Sequence, residues 1–368
     1  MKPIALYLPQ FHEIKENNEW WGKGYTEWNA VKNAKPLYKT HVQPRIPLNN
    51  NYYDLSREDG SVWKWQAGLA RKYGLYGFCI YHYWFYTGEQ LLEKPMEILL
   101  NHKEIDINYC ICWANETWKR TWYSSKNEIL KEQKYGDKCE WENHFKYLLP
   151  FFFDERYIKV NNKPVICIYH TNKINQLNLM VECWNVMAKN SGFSGVYIVS
   201  CNYDGNYDDR ESIDAYYDYE PWTSLYKEKY KPTIIKKKIY GKVIRKYNEV
   251  MNKNKPMIKL TVERLMRRKK ERYYKNKKVY LGVMPAFDDT PRRPQKATII
   301  TSTPKQFFRD MCKIREKLVD GNNDDFVFIN AWNEWGEGAY LEPDEIYEDE
   351  YLKALKKAVE GLETEIKD

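Results

Sequence analysis

The sequence predicts a (β/α)8 barrel, in which eight parallel strands alternate with helices around one core. Eight short apolar runs recur along the 368 residues, and helical patterns separate most of them. Most runs are continuously apolar, as expected for parallel strands that are covered on both faces. Each run is followed by aromatic, amide or acidic residues. Because barrels of this kind carry their functional groups at the carboxyl ends of the strands, we expect the active site there.

The strand predictions rest on runs of β-branched and aromatic residues with lengths typical of strands. In chain order they cover residues 4–11, 77–85, 107–113, 164–169, 196–201, 215–219, 279–284 and 326–331.

The helix predictions rest on apolar residues spaced three and four positions apart. Thr303 is a predicted N-cap, with proline at the first helical position after it. Gly192, Gly321 and Gly361 are predicted to follow helix ends. The predicted helices cover residues 62–73, 91–101, 141–155, 177–190, 304–319 and 349–362.

An open, doubly wound sheet is the alternative arrangement of alternating strands and helices. It is disfavoured because no Gly-x-Gly-x-x-Gly follows any predicted strand. We therefore expect one barrel over residues 1–368, with a basic helical insertion at residues 222–278.

Two glutamates at the end of the last strand are the candidate catalytic residues. Glu334 and Glu337 lie in the run 326–338 (FVFINAWNEWGEG), which begins apolar and ends rich in tryptophan and glycine. Glycosidic bond cleavage needs one group that protonates the departing oxygen and a second that acts at the sugar. The alternative is that both glutamates are solvated surface residues. The flanking indoles and glycines favour a site.

Several motifs together resemble those of the WbsX-type family of bacterial surface-polysaccharide proteins. That family is similar to glycoside hydrolase family 99, the endo-α-mannosidases. The resemblance extends from the first strand to the last helix and is weakest at residues 222–278. The motifs are residues 7–12 (YLPQFH), 20–28 (WWGKGYTEW), 81–85 (YHYWF), 113–116 (WANE), 289–293 (DTPRR) and 330–338 (NAWNEWGEG).

The resemblance implies an endo-acting, retaining mechanism through a 1,2-anhydro sugar. By position in the motif, Glu334 would be the base that deprotonates the 2-hydroxyl of the sugar, and Glu337 the general acid/base. The stretches 217–221 and 287–290 depart from the family pattern. For this reason α-mannose is not assumed as the substrate.

Aromatic, amide and charged residues at the strand ends and in the first loop are predicted to bind the sugar. The alternative for each is an ordinary buried or solvated residue. The predicted binding residues are Tyr7, Gln10, Glu27, Trp28, His82, Tyr83, Trp84, Trp113, Asn115, Glu116, Trp118, Glu220, Asp288, Arg292, Trp332, Asn333 and Trp335.

Composition supports a sugar-binding protein without a cofactor. Aromatic residues make up 16% of the chain, and flat amphipathic rings are suited to lining binding surfaces. Five of the eight cysteines lie in predicted strands, where free cysteine behaves as a small apolar residue. Cys110 and Cys112 share a strand face, but no second Cys or His pair accompanies them, so no metal is expected. The N-terminus lacks the pattern of a signal peptide, which predicts a cytoplasmic protein.

Positive charge is concentrated in one segment. Residues 222–278 contain 21 Lys and Arg against 4 Asp and Glu, a balance of +17, whereas the whole chain carries +8. Residues 258–270 have apolar residues at near-helical spacing, which is typical of a basic amphipathic helix on an anionic membrane surface. The alternatives are a solvated excursion, or a surface that steers an anionic or lipid-linked glycan. Nucleic acid is not expected, because no recognition module accompanies the charge.

Two classes of function remain. The first is an enzyme that cleaves or transfers glycosidic linkages of a surface polysaccharide of the O-antigen or capsule type. The second is a glycosyltransferase of lipopolysaccharide or capsule biosynthesis, or a barrel that binds glycans without catalysis. The first is preferred because no phosphate-binding glycine loop is present. The predicted partner is an oligo- or polysaccharide, with peripheral membrane contact at the inner membrane face through residues 232–278.

Overall fold

Eight parallel strands close into a barrel in the computed structural model, which describes residues 1–119, 128–226, 231–251, 253, 255–256, 258–265, 271–318 and 325–362. The barrel strands are β1 (Lys2–Tyr7), β2 (Gly77–Trp84), β3 (Asn108–Trp113), β4 (Lys163–Ile168), β5 (Tyr197–Asn202), β6 (Ala215–Asp218), β7 (Lys277–Val283) and β8 (Phe326–Ile329).

The ring closes through β1. Its Ile4 pairs with Gly77 of β2 on one side and with Phe328 of β8 on the other. The remaining strands are neighbours in chain order. The predicted (β/α)8 barrel is therefore confirmed, and the open-sheet alternative is wrong.

The helices lie outside the ring of strands. They are α1 (Lys15–Trp21), α2 (Glu27–Asn33), α3 (Ser61–Lys72), α4 (Lys94–Asn101), α5 (Lys138–Phe153), α6 (Leu177–Asn190), α7 (Trp222–Tyr226), α8 (Lys231–Met251), α9 (Val262–Leu265), α10 (Pro304–Lys317) and α11 (Glu350–Glu360). Of these, α3, α5, α6, α10 and α11 each bury apolar residues.

The ends of these helices follow the capping residues. Thr303 accepts a hydrogen bond from the backbone N–H of Gln306, as predicted for an N-cap. Gly361 ends α11 in the left-handed conformation, with φ 79°. Gly321 lies outside the described residues. One prediction began too early: residues 90–91 pair with the end of β2 rather than starting a helix, and α4 begins only at Lys94, with proline in its first turn.

The segment between β6 and β7 contains α7, α8, a strand at Ile258–Thr261, α9, and a short strand at Tyr273–Tyr274. The helical spacing over residues 258–270 was misleading at its start, because Ile258–Thr261 pairs in parallel with Thr298–Thr301. Residues 266–270 lie outside the described residues.

Among the helices that the structure describes, none is both long and apolar enough to cross a membrane.

Candidate active site

A cavity of about 370 Å³ opens at the carboxyl ends of the barrel strands. Its wall combines tyrosine and tryptophan rings with two carboxylates on one side. The lining residues are Leu8, Gln10, Asn17, Trp21, Tyr81, Tyr83, Ala114, Glu116, Thr117, Trp118, Lys119, Leu130, Tyr169, Tyr203, Tyr219, Trp222, Arg292, Arg293, Glu334 and Glu337.

The two candidate catalytic glutamates are held by a tight turn after β8. Glu334 ends a short strand, Asn333–Glu334, that pairs with Ala339–Tyr340. Trp335–Glu337 then form a single 3-10 turn, and Gly338 closes it with φ 55°. This turn brings both carboxylates to the same side of the cavity.

Arg292 connects three carboxylates at the cavity wall. Its Nη2 donates to Glu334 Oε2 at 2.9 Å, and its Nη1 donates to Glu337 Oε1 at 2.8 Å. Its Nε donates to Glu27 Oε1 at 2.7 Å. Arg292 and Glu27 are buried, which strengthens these charge-assisted bonds and fixes their geometry.

Gly336 makes this arrangement sterically feasible. A Cβ at this position would lie 1.8 Å from Glu27 Oε1 and 2.7 Å from Arg292 Nε. Only glycine therefore permits Glu27, at the start of α2, to approach the turn that carries the two glutamates.

The surroundings of Glu334 favour its neutral form. Burial, together with the negative charges of Glu337 and Glu27, raises the pKa of Glu334 to about 8, although the Arg292 guanidinium opposes this shift. Burial also raises the pKa of Glu27, again against the effect of Arg292. An ionised Glu334 is therefore a stronger base than an ordinary carboxylate.

Glu337 differs from Glu334 in its exposure. Its side chain is 18% exposed, against 5% for Glu334. Its Oε2 is buried, yet it accepts no hydrogen bond from any residue that the structure describes. An unpartnered buried carboxylate oxygen is costly, and a hydrogen-bond donor from a ligand would relieve that cost.

The rest of the wall is aromatic. The hydroxyls of Tyr81 and Tyr219 lie 3.3 Å apart, and the ring of Tyr169 packs edge-on against Tyr219. Glu116 is held by His170 Nε2 at 2.6 Å. Such rings offer flat faces for sugars and hydroxyl groups for their substituents.

Several residues predicted to bind the substrate lie on the cavity wall, and the rest do not. With the catalytic candidates Glu334 and Glu337, those on the wall are Gln10, Tyr83, Glu116, Trp118 and Arg292.

Strand alternation explains three of the predicted residues that do not reach the wall. In β2, Tyr81 and Tyr83 face the cavity, so His82 and Trp84 must face the other way. His82 Nε2 lies 2.9 Å from His144 Nε2, and Trp84 stacks on the same ring of α5. Trp113 packs edge-on against His144 as well.

A second group of predicted residues does not line the cavity and instead makes hydrogen bonds that support the segments around it. Asn333 accepts from the Leu8 N–H at 2.7 Å and donates to the Leu8 carbonyl at 3.0 Å, which ties the segment after β1 to the turn that carries Glu334 and Glu337. Trp335 Nε1 donates to Glu342 Oε2, and Trp28 Nε1 donates to the Tyr53 carbonyl.

The other predicted residues off the wall are also bonded or packed elsewhere. The Tyr7 hydroxyl donates to Gln66 Oε1, and Trp332 packs against Phe78. Asn115 spans to the backbone of His170. Glu220 is buried and accepts from the Ser224 N–H. Asp288 accepts from Gln43 Nε2 at 2.8 Å and lies 2.7 Å from His41 Nε2.

Asn17 is a cavity residue that sequence reasoning missed. Its side chain is buried beside the cavity, and neither its Oδ1 nor its Nδ2 is hydrogen-bonded to any part of the chain that the structure describes. Nothing in the local sequence marks it. Tyr81, Tyr169, Tyr203 and Tyr219 were also missed as site residues, although alternation relative to their strands could have identified them.

Three buried cysteines from different strands form a group that could hold a metal ion. The sulfurs of Cys79, Cys110 and Cys167 lie within 4.8 Å of one another. Sequence spacing does not reveal this group, because no two of its members are close in the chain. None of the three lines the cavity.

Comparison with known proteins identifies the family. A sequence profile of the family described as glycosyltransferase WbsX matches residues 3–355. An uncharacterized protein, WxcX, from Xanthomonas campestris pv. campestris is 31% identical over 362 residues, which cover 97% of this chain and 49% of the relative. The WxcX protein of a second strain matches to the same extent. The chain thus spans about half the length of these relatives.

Solved structures share the fold at low sequence identity. Two structures of the family 99 endo-α-mannosidase from Bacteroides thetaiotaomicron, one in complex with Bis-Tris-propane, have TM-scores of 0.54 and 0.56 at 14% identity and cover 98% of this chain and 96% of theirs. A glycoside hydrolase-like protein has a TM-score of 0.56 at 13% identity, covering 97% of this chain and 93% of its own. Because the family profile extends over nearly the whole chain, the protein belongs to the family described as glycosyltransferase WbsX.

Proposed function

We propose that the protein breaks or transfers a glycosidic bond of a bacterial surface polysaccharide, with Glu334 as the base and Glu337 as the general acid/base. The observation that carries this proposal is the Arg292 guanidinium, which binds both carboxylates within one aromatic cavity. A cation shared by two carboxylates holds them in fixed positions and lets the charge on each respond to the other.

The reaction proceeds in two steps. The ionised form of Glu334 removes the proton of the sugar 2-hydroxyl, whose oxygen attacks the anomeric carbon and forms a 1,2-anhydro sugar. Glu337 donates its proton to the leaving oxygen as that bond breaks. In the second step Glu337 removes a proton from an incoming water or sugar hydroxyl, which attacks the anomeric carbon. The epoxide oxygen then recovers its proton from Glu334.

The position of the two glutamates supports a nucleophile from the substrate. Both come from one turn of residues 334–337 and share one arginine. A conventional retaining pair places its two carboxyl groups on opposite sides of the anomeric carbon, about 5–5.5 Å apart. With the 2-hydroxyl as nucleophile, neither glutamate has to reach the far face of the ring.

Transfer to a sugar hydroxyl, rather than to water, is the second candidate outcome. The description of the family as a glycosyltransferase favours it. Both outcomes use the same first step, and they differ in which hydroxyl enters the cavity in the second. Product analysis with and without an added sugar acceptor separates them.

We also propose that the substrate is anionic or lipid-linked and that it is met at a membrane surface on the cytoplasmic side. The support is the concentration of positive charge in residues 222–278, at a balance of +17. A basic segment raises the local concentration of anionic substrates and of anionic lipid surfaces.

The mechanism is tested with Glu334→Gln and Glu337→Gln on oligosaccharides that the wild type turns over. Each variant should lose roughly 10²–10⁴-fold in kcat/KM, the usual range for removing a general acid or base. Glu360→Gln, at an exposed position on α11, is the matched control and should retain full activity. Full turnover by both active-site variants would show that the acid/base assignment is wrong.

A further inference from the structure

The helix α8 presents apolar side chains to solvent along a single stripe. Ile239 is 62% exposed, Val243 61% and Val250 72%. These positions are separated by four and seven residues, or about one and two helical turns, so they lie on one face. Tyr240 and Met251, which are 51% and 53% exposed, extend this face at its edge.

The opposite face of α8 attaches the helix to the protein. Gly241, Ile244 and Asn248 are buried. The Asn248 amide accepts from the Lys255 N–H at 3.0 Å and donates to the Lys255 carbonyl at 3.1 Å. Since these residues also lie about one turn apart, the packed face and the apolar stripe are on opposite sides of the same helix.

This attachment places α8 beside elements that line the cavity. The helix packs against α7 and against the 3-10 turn Pro294–Lys296. The first residue of α7, Trp222, lies on the cavity wall, and the turn follows directly after Arg292 and Arg293. A surface that holds the stripe would therefore contact the helix that borders the site.

Exposed lysines accompany the stripe. Lys242 and Lys246 are exposed, and each lies within one turn of Val243. An apolar stripe flanked by cations complements an anionic phospholipid surface, where the apolar side chains enter the acyl boundary and the cations meet the headgroups.

We propose that α8 is the element by which the protein docks on an anionic lipid bilayer, with Ile239, Val243 and Val250 inserted. This refines the membrane contact that the sequence predicted through residues 232–278, in which residues 258–270 showed the spacing of an amphipathic helix. The described part of residues 258–270 is unsuited to insertion, because Ile258, Val262 and Leu265 are buried in the protein. Docking through α8 would bring the proposed enzyme to a lipid-linked glycan. Only this consequence rests on the proposed function.

Vesicle co-sedimentation at low and at high salt tests the proposal. The probes are vesicles of phosphatidylcholine alone and vesicles in which part of it is replaced by phosphatidylglycerol. We expect wild-type protein to bind the anionic vesicles at low salt and to bind much less at high salt, because surface charges are screened. We expect Ile239→Ser, Val243→Ser and Val250→Ser together to weaken that binding about tenfold or more.

Two further variants distinguish the contribution of the α8 stripe from that of exposed apolar residues elsewhere and from that of the lysines. Leu179→Ser with Val186→Ser removes two exposed apolar residues from α6, 56% and 55% exposed, and should leave binding unchanged. The double variant Lys242→Glu, Lys246→Glu should bind anionic vesicles more weakly than the wild type, and its remaining binding should depend less on salt. All positions are exposed, so circular dichroism and melting temperatures should match the wild type.

Several outcomes would overturn the proposal. One is that the wild type binds neither kind of vesicle at low salt. Another is that the stripe variant binds as well as the wild type, which would leave charge alone as the cause. A third is that the stripe variant instead abolishes a dimer seen by light scattering, which would make the stripe an interface between two copies. Glu334→Gln should bind vesicles normally, so failure of the enzymatic mechanism and failure of membrane docking give different results.

Discussion

At the scale of single residues, one buried arginine organises the candidate site. Arg292 neutralises part of the charge of Glu27, Glu334 and Glu337, which could not remain ionised together in a low-dielectric environment. Burial, together with the negative charges of Glu337 and Glu27, keeps the pKa of Glu334 high.

The raised pKa of Glu334 predicts a pH-dependent stability. Between its ordinary value of 4.5 and about 8, the folded protein holds a proton that the unfolded chain has already lost. The contribution of this group to stability is therefore complete at low pH and is lost as pH rises through that window. Glu334→Gln keeps an acceptor for Arg292 and cannot ionise, so its melting temperature should exceed that of the wild type at high pH.

Melting curves across the pH range measure this effect. The difference between Glu334→Gln and wild type should shrink toward the acidic end of the window, whereas Glu360→Gln should follow the wild type at every pH. A difference of the same size at all pH values would mean that ionisation of Glu334 does not destabilise the fold.

The lack of room for a side chain at Gly336 leads to a second prediction. In Gly336→Ala, the added Cβ would displace Glu27 or Arg292, since it falls 1.8 Å from Glu27 Oε1. Overpacking of this kind costs on the order of 1–3 kcal/mol, and activity should fall with it because Arg292 holds both glutamates. Chemical denaturation and kcat/KM measure the two effects.

The control is Gly68→Ala, in the exposed part of α3, where a Cβ would meet nothing within 4 Å. Alanine should stabilise a helix at such a position by roughly 0.5–1 kcal/mol. Equal stability changes in the two variants would contradict the steric account of Gly336.

At the scale of elements, the alternation of side chains along β2 places neighbouring residues of the predicted motif 81–85 on opposite faces of the strand. Tyr83 lines the cavity, whereas His82 packs among the rings of α5. Tyr83→Phe should lower kcat/KM by up to about tenfold, the value of one hydrogen bond, with little change in stability. His82→Ala should cost about 3–5 kcal/mol, as for truncation of a large buried ring, while the folded fraction keeps its kcat/KM.

Paired measurements of activity and unfolding free energy test this division. The reverse pattern, with His82→Ala fully stable and inactive, would place that imidazole at the substrate.

The same elements show what sequence could and could not predict. The eight strands were predictable because parallel barrel strands are covered on both faces and are therefore continuously apolar. A continuously apolar strand does not show which of its residues face the cavity. For this reason His82, Trp84 and Trp113 were assigned to the site together with Tyr83. The contact of Glu27 with Arg292 spans 265 positions, and no local pattern encodes it.

The helical spacing at the start of residues 258–270 was misleading for a different reason. Apolar residues at helical spacing marked residues 258–270, yet Ile258–Thr261 joins a sheet with Thr298–Thr301. A distant partner strand decided the structure there, which short-range periodicity cannot report.

At the scale of the whole molecule, the barrel carries the cavity, and α8 packs beside elements that line it. The carboxyl ends of the barrel strands surround an aromatic cavity, and the turn after β8 supplies both glutamates. The insertion between β6 and β7 borders that cavity with Trp222. The chain covers about half the length of its WxcX relatives.

The central claim is that Glu334 acts on the 2-hydroxyl and Glu337 on the leaving oxygen. The most direct measurement compares Glu334→Gln and Glu337→Gln on two substrates of the same sugar, one with its natural leaving group and one with fluoride, which departs without a proton. Glu337→Gln should recover much of the wild-type rate of the first step on the fluoride, whereas Glu334→Gln should remain inactive on both. Recovery by Glu334→Gln, or turnover by the wild type of a fluoride whose 2-hydroxyl is methylated, would contradict the account.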